Sequence, residues 1–201
     1  MKNPSHFSRN QQGATLIEAL VSILLFSIGL LGIAGLQANA TSFQKSSWAT
    51  HRIAEVTNDI GERMRANPDG VESNLYTYTA NYATAKLATI TSNGCKSTTS
   101  TPTCNSPQVV NDDLSAWLAK AQNVLPQGAV RLEGDANAGF IVTVMYLDKD
   151  FRNDTNSAVG TSTLCSATST GMGWRTCCPL PAAVPPGVKC ARTLIQPYVP
   201  E

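Results

Sequence analysis

Histidine, charge and metal-type cysteine pairs are the scarce elements of this 201-residue chain. It has two histidines, and only 14% of its residues are Asp, Glu, Lys or Arg. Zinc sites are usually built from C-x2-4-C pairs combined with histidine or with further such pairs. Here six cysteines occur and none stands in a C-x-x-C pair, so no metal centre is expected and no cofactor is implied. No Walker loop and no G-x-G-x-x-G is present, which removes the usual phosphate cradles. Fifteen basic residues stand against 14 acidic ones, and so near a balance excludes nucleic-acid binding through a general basic field. A nucleophilic site needs a base held beside it. His51 falls in a long helical stretch, on its solvent side, and Asp112-Asp113 reads as a helix start. Asp148-Lys149-Asp150, with Asp154 nearby, lacks the order of a calcium loop and reads as a solvated turn. The chain is not expected to be an enzyme.

What is present is concentrated at the start. A basic leader, MKNPSHFSRNQQG, runs into an apolar stretch whose one charge is Glu18. From Ala19 to Gln44 there is no charge, and Ala19 to Leu36 is nearly all apolar. Those 18 residues are just long enough to cross roughly 30 Å of hydrocarbon. A secretory signal peptide is cut after its apolar run, behind small residues. Here the distinctive residues, Gly13 and the lone charge Glu18, stand ahead of the run instead. The pattern therefore predicts a leader trimmed before the helix, which stays on the mature protein. Lys2 and Arg9 precede the span, and short basic flanks stay cytoplasmic.

Gly13-Ala14-Thr15-Leu16-Ile17-Glu18 resembles the class III signal of type IV prepilins. In that family a membrane peptidase cuts after the glycine and N-methylates the new first residue. The resemblance implies cleavage between Gly13 and Ala14 and methylation at Ala14, where the family usually has phenylalanine. It implies an assembly role for Glu18, since in the family this glutamate neutralises the N-terminal ammonium of a neighbouring subunit. The residues alone also call for a partner: an ionised carboxylate in a bilayer costs a few kcal/mol unless paired or snorkelled. The family further implies an α+β, type IV pilin-like ladle, a long N-terminal helix on a small antiparallel sheet with disulfide-bonded loops. Its partners would be the prepilin peptidase, other major and minor pilins, the inner-membrane assembly machinery and the membrane. The precursor would cross the inner membrane once, N-terminus in the cytoplasm, before entering a surface fibre. The layout resembles a minor pilin. A minor pseudopilin of a type II secretion system shares this N-terminus, and a membrane-tethered periplasmic binding module is the reading from another class.

The expected organisation is a leader at 1–13, the membrane or fibre-core half of the helix at 14–44 and a periplasmic or extracellular domain at 45–201. Ala49, Ile53, Val56, Ile60 and Met64 recur at helical spacing. Asp59 and Arg63 can pair across one turn, and Asn67-Pro68-Asp69-Gly70 stops the helix. Gly29, Gly32 and Gly35 recur inside the apolar part, where small residues allow close helix approach. Residues 71–110 read as irregular. Asn111 is expected to open an amphipathic helix with Leu114, Trp117, Leu118, Ala121 and Leu125 on its apolar face, capped by Asn111 or Asp112. Ala129 to Glu133 and Phe140 to Leu147 read as strands, with a third within Cys190 to Val199.

Cys95, Cys104, Cys165, Cys177, Cys178 and Cys190 all follow the span. An even number in an exported domain predicts disulfides, with fifteen possible pairings. Cys95–Cys104 is the simplest. Cys165–Cys177 with Cys178–Cys190 is one arrangement of the rest, and exchanging Cys177 with Cys178 is equally allowed. A vicinal Cys177–Cys178 bond ranks last.

Overall fold

The structure is a computed structural model that describes residues 16–95, 104–148 and 163–197. The chain divides into two compact units, Met1–Ser47 and Trp48–Glu201. Helix α1, Leu16–Ala66, contributes to both.

Within the second unit, α1 presents the expected face. Val56, Ile60 and Met64 are fully buried, and Ile53 packs against them. Arg63 and Arg65 occupy its last turn, where cations favour the carbonyl end of the dipole. The helix stops at Ala66, because Asn67 leaves helical geometry at φ −134° and Pro68 begins a new short helix, α2, at Pro68–Glu72.

The stretch expected to be irregular holds more order than its composition suggests. Besides α2 it contains α3, Tyr82–Ala85, capped by the Asn81 side chain. Tyr78 bridges Leu132 through backbone hydrogen bonds of 3.0 and 2.8 Å. The amphipathic helix α4 spans Ser106–Val124 and so begins five residues before the predicted Asn111. Asn105 and Gln108 form a reciprocal capping box, which satisfies two orphan backbone donors at once. Pro107 fits because the first turn has no partner for the missing N–H. Asn111 and Asp112 are thus interior residues and cap nothing. The apolar face is as expected: Trp117 and Ala121 are fully buried, with Leu114, Leu118 and Leu125 nearly so.

Strands β1 (Ala129–Asp135), β2 (Gly139–Leu147) and β3 (Val188–Ile195) form an antiparallel sheet in the order β1-β2-β3. Val130 pairs with Val144 and Leu132 with Val142, and Cys190 pairs with Met145 across β2 and β3. The β1–β2 turn requires glycine at its hinge. Gly134 has φ +121°, and a Cβ there would lie 2.2 Å from the Gly139 carbonyl oxygen. Asp135 steadies the turn by accepting the N–H groups of Asn137 and Ala138 at 2.9 and 2.8 Å.

Side-chain alternation places the two sheet faces in two cores. Val130, Leu132, Phe140, Val142 and Val144 face α1 and α4. Ala129, Met145, Val188 and Cys190 face α3 and a loop segment containing Cys178 and Ala182. The architecture is α+β: a long N-terminal helix whose C-terminal part packs on a small antiparallel sheet, consistent with a pilin-like fold. Three disulfides join Cys95–Cys104, Cys165–Cys177 and Cys178–Cys190. Of the arrangements left open by the sequence, these are the ones formed. A further short helix, α5, covers Gly171–Thr176 within the loop closed by Cys165–Cys177.

Candidate functional site

Gly13 and Ala14 lie outside the described residues. Glu18 is described and stands in the first turn of α1, exposed. That turn carries four orphan N–H groups, so a carboxylate is electrostatically favoured there. Beyond it, Leu16–Thr41 is long and apolar enough to cross a membrane, and none of it is buried. Its 26 residues span about 39 Å at 1.5 Å per residue, more than the hydrocarbon thickness.

Two further features of this segment suit an apolar solvent. Ser27 donates to the Ile23 carbonyl at 2.7 Å and Thr41 to the Gln37 carbonyl at 2.7 Å, so these hydroxyls are satisfied within the helix. Gly29, Gly32 and Gly35 have no heavy atom within 4 Å of where a Cβ would sit. Among the described residues no packing explains their smallness. Leu16, Ile17, Leu20, Leu24, Phe26 and Leu31 are all more than half exposed, an apolar surface far larger than solitary surface residues produce.

In the second unit the charged residues do structural work. Arg63 donates to Asp59 at 2.7 Å and to Asp113 at 3.3 Å, and Tyr76 donates its hydroxyl to Asp113 at 2.7 Å. Lys120 pairs with Glu55 at 3.2 Å and with Asp59 at 3.3 Å. The set ties α4 to α1. Burial alone would raise the Asp59 carboxyl, but hydrogen bonds and charge from Arg63 and Lys120 outweigh it and hold the group below its ordinary range. Glu55 is lowered chiefly by Arg52 and then by Lys120. Burial and the neighbouring Asp113 push the Tyr76 phenol well above its usual range.

Asp112 and Asp113, read from sequence as a helix start, are 4% and 3% exposed in the middle of α4. Asp112 accepts from the Ser92 hydroxyl at 2.9 Å, from the Cys95 N–H at 2.7 Å and from the Asn93 N–H. It anchors the loop closed by Cys95–Cys104. Arg131 was not singled out by sequence either. It is 5% exposed, pairs with Glu133 at 2.7 Å and donates to the carbonyls of Thr79 and Ala80. It thereby fixes the segment that bridges Leu132. No local pattern announces these roles, because their partners lie tens of residues away.

His51 is exposed on α1. Among the described residues no group of three or more His, Cys, Asp or Glu could hold a metal ion. Asp148 pairs with Lys189, whereas Lys149, Asp150 and Asp154 lie outside the described residues. The C-terminal bridges hold α5 beside β3. Arg192 of β3 lies 4.5 Å over the Trp174 ring and is lowered by burial.

Residues 8–34 match the family model described as the prokaryotic N-terminal methylation motif, a type IV prepilin-like signature. The match covers the end of the leader, the Gly13–Glu18 junction and most of the apolar segment. No curated protein and no solved structure matches the chain.

Proposed function

We propose that this chain is the precursor of a minor pilin, a non-enzymatic subunit that enters, primes or modifies a type IV pilus. The observation that carries the reading is the N-terminal methylation motif at residues 8–34, set on an exposed apolar helix. The prepilin peptidase removes residues 1–13 and methylates Ala14. Residues 14–44 then hold the chain in the inner membrane and later in the fibre core, among other pilins. Residues 45–201 form the periplasmic and then extracellular domain, delivered to the fibre by the inner-membrane assembly machinery. One feature supports the domain's export. All six cysteines are bridged, and disulfides persist in oxidising compartments. Within the type IV pilins, the long helix followed by a cysteine-rich domain of this size resembles the minor pilin PilV, a type IV pilus modification protein. Glu18 serves subunit docking by matching the N-terminal ammonium of a neighbour.

Deleting the gene tests the assignment. Loss of surface pili is the expected result. Loss of enzyme secretion with normal pili would transfer the chain to the pseudopilins of a type II secretion system, and neither defect would make it a tethered binding module. At the junction, Gly13→Val should block cleavage and leave the leader attached, read as a mass increase of the membrane-extracted chain. Gly13→Ala should be largely tolerated, because the peptidase then still meets a small residue.

A further inference from the structure

The three disulfides differ in what surrounds them. Arg192 Nη1 lies 3.2 Å from Cys165 Sγ and 3.6 Å from Cys177 Sγ. The Trp174 ring, 4.5 Å away, holds the guanidinium against the bridge. Among the described residues no carboxylate lies within ion-pair distance of Arg192. Glu133 acts on it only from beyond that distance, and the hydrogen-bond contacts of the guanidinium are with the two sulfurs. Cys177 is fully buried, while Cys165 is half-buried. Of the two residues, Cys165 is the more accessible from outside.

The other two bridges lack this combination. Cys178 and Cys190 are 1% and 5% exposed, so neither sulfur offers a point of attack. Cys95 and Cys104 are both half-buried, but the Asp112 carboxylate sits 2.7 Å from the Cys95 amide nitrogen. An anion there disfavours a second negative charge on Cys95. Exchange is faster when the departing thiol has a lower pKa, and a neighbouring cation lowers it.

We propose that Cys165–Cys177 is a thiol-exchange site, opened by an external dithiol that attacks Cys165 while Arg192 stabilises the departing Cys177 thiolate. The attack forms a mixed disulfide on Cys165 and breaks the Cys165–Cys177 bond. The dithiol's second thiolate then attacks its own sulfur in the mixed disulfide, closes a cyclic disulfide and releases Cys165 as a thiolate. Two electrons pass from the dithiol to the protein. Because Cys178–Cys190 stays closed in its core, Cys177 and not Cys178 remains available to rejoin Cys165. An external disulfide, acting by the reverse of the same exchange, takes the two electrons back and recloses the site without exchanging partners.

Limiting dithiothreitol applied to the full, disulfide-intact chain in detergent tests this, with acid quenching, alkylation and peptide mass spectrometry. Cys165 and Cys177 should be alkylated before Cys178 and Cys190. Arg192→Gln should slow that opening roughly threefold or more and leave the Cys95–Cys104 rate unchanged, while Arg192→Lys, which keeps the charge, restores most of it. Opening of Cys178–Cys190 first in the wild type overturns the proposal. So does an Arg192→Gln chain that opens Cys165–Cys177 as fast as wild type with the Cys95–Cys104 rate unchanged. Should Arg192→Gln loosen all three bridges together, the wild-type order and the Arg192→Lys rate decide the matter.

Discussion

Trp117→Ala is expected to destabilise the Trp48–Glu201 unit by about 3–5 kcal/mol, the usual cost of truncating a buried large aromatic side chain. Trp117 is fully buried between α4 and α1. Its indole N–H donates to the Val56 carbonyl of α1 at 2.9 Å, so one side chain supplies both apolar area and a cross-helix hydrogen bond. Its neighbours Val56, Ile60 and Leu118 are themselves fully packed and cannot move in to fill the cavity. For a unit of this size the loss corresponds to a fall in Tm of about 10 °C or more. Trp117→Phe keeps most of the packing and loses the hydrogen bond, so it should cost about 1–2 kcal/mol. Denaturant unfolding of the full chain in detergent measures both. A Trp117→Ala loss under 1 kcal/mol would mean that α4 does not rest on α1 as described.

Glu18→Ala is expected to leave the domain stable and the precursor processed, yet to remove the protein from sheared pili. The residue stands exposed in the first turn of α1, at the head of a segment with no burial of its own. Removing the charge makes insertion into lipid easier. On the docking role proposed for Glu18, what is lost is the match to a neighbouring N-terminal ammonium. A mismatch of roughly 3 kcal/mol for an unpaired charge in the fibre interior is about a hundredfold in partition between membrane and fibre. Immunoblots of inner membrane and sheared pili, normalised to a major pilin, give the ratio. If Glu18→Ala enters the fibre as well as wild type, the pairing role is wrong and the residue is a snorkelling carboxylate.

Much of the fold was legible because periodic burial leaves a mark in the sequence. Ile53, Val56, Ile60 and Met64 on α1, and Leu114, Trp117, Leu118 and Ala121 on α4, repeat at helical spacing and all join one core. Phe140, Val142 and Val144 alternate as a strand should. The start of α4 was misplaced because its cap sits at the end of a Ser/Thr-rich tract. Asn105 and Gln108, three residues apart around Pro107, were the signal. Asp112-Asp113 misled because paired acids usually open helices. Here Tyr76 and Ser92, 37 and 20 residues away, make burial of the carboxylates tolerable, and no local pattern encodes such distances. The choice between Cys177 and Cys178 was equally hidden. Cys177 has extended backbone at φ −80° and ψ 151°, so adjacent side chains point to opposite sides. One meets Cys165 beside Arg192, the other meets Cys190 in the core under the sheet. Which cysteine takes which side depends on the path of the chain after Trp174.

The central claim is that Gly13 ends a leader removed ahead of the apolar helix. N-terminal sequencing and intact mass of the membrane-extracted protein, from cells with an active prepilin peptidase, test it most directly. The expected chain begins at Ala14, with or without one added methyl group. A chain that begins at Met1 or Lys2 in those cells would contradict the account.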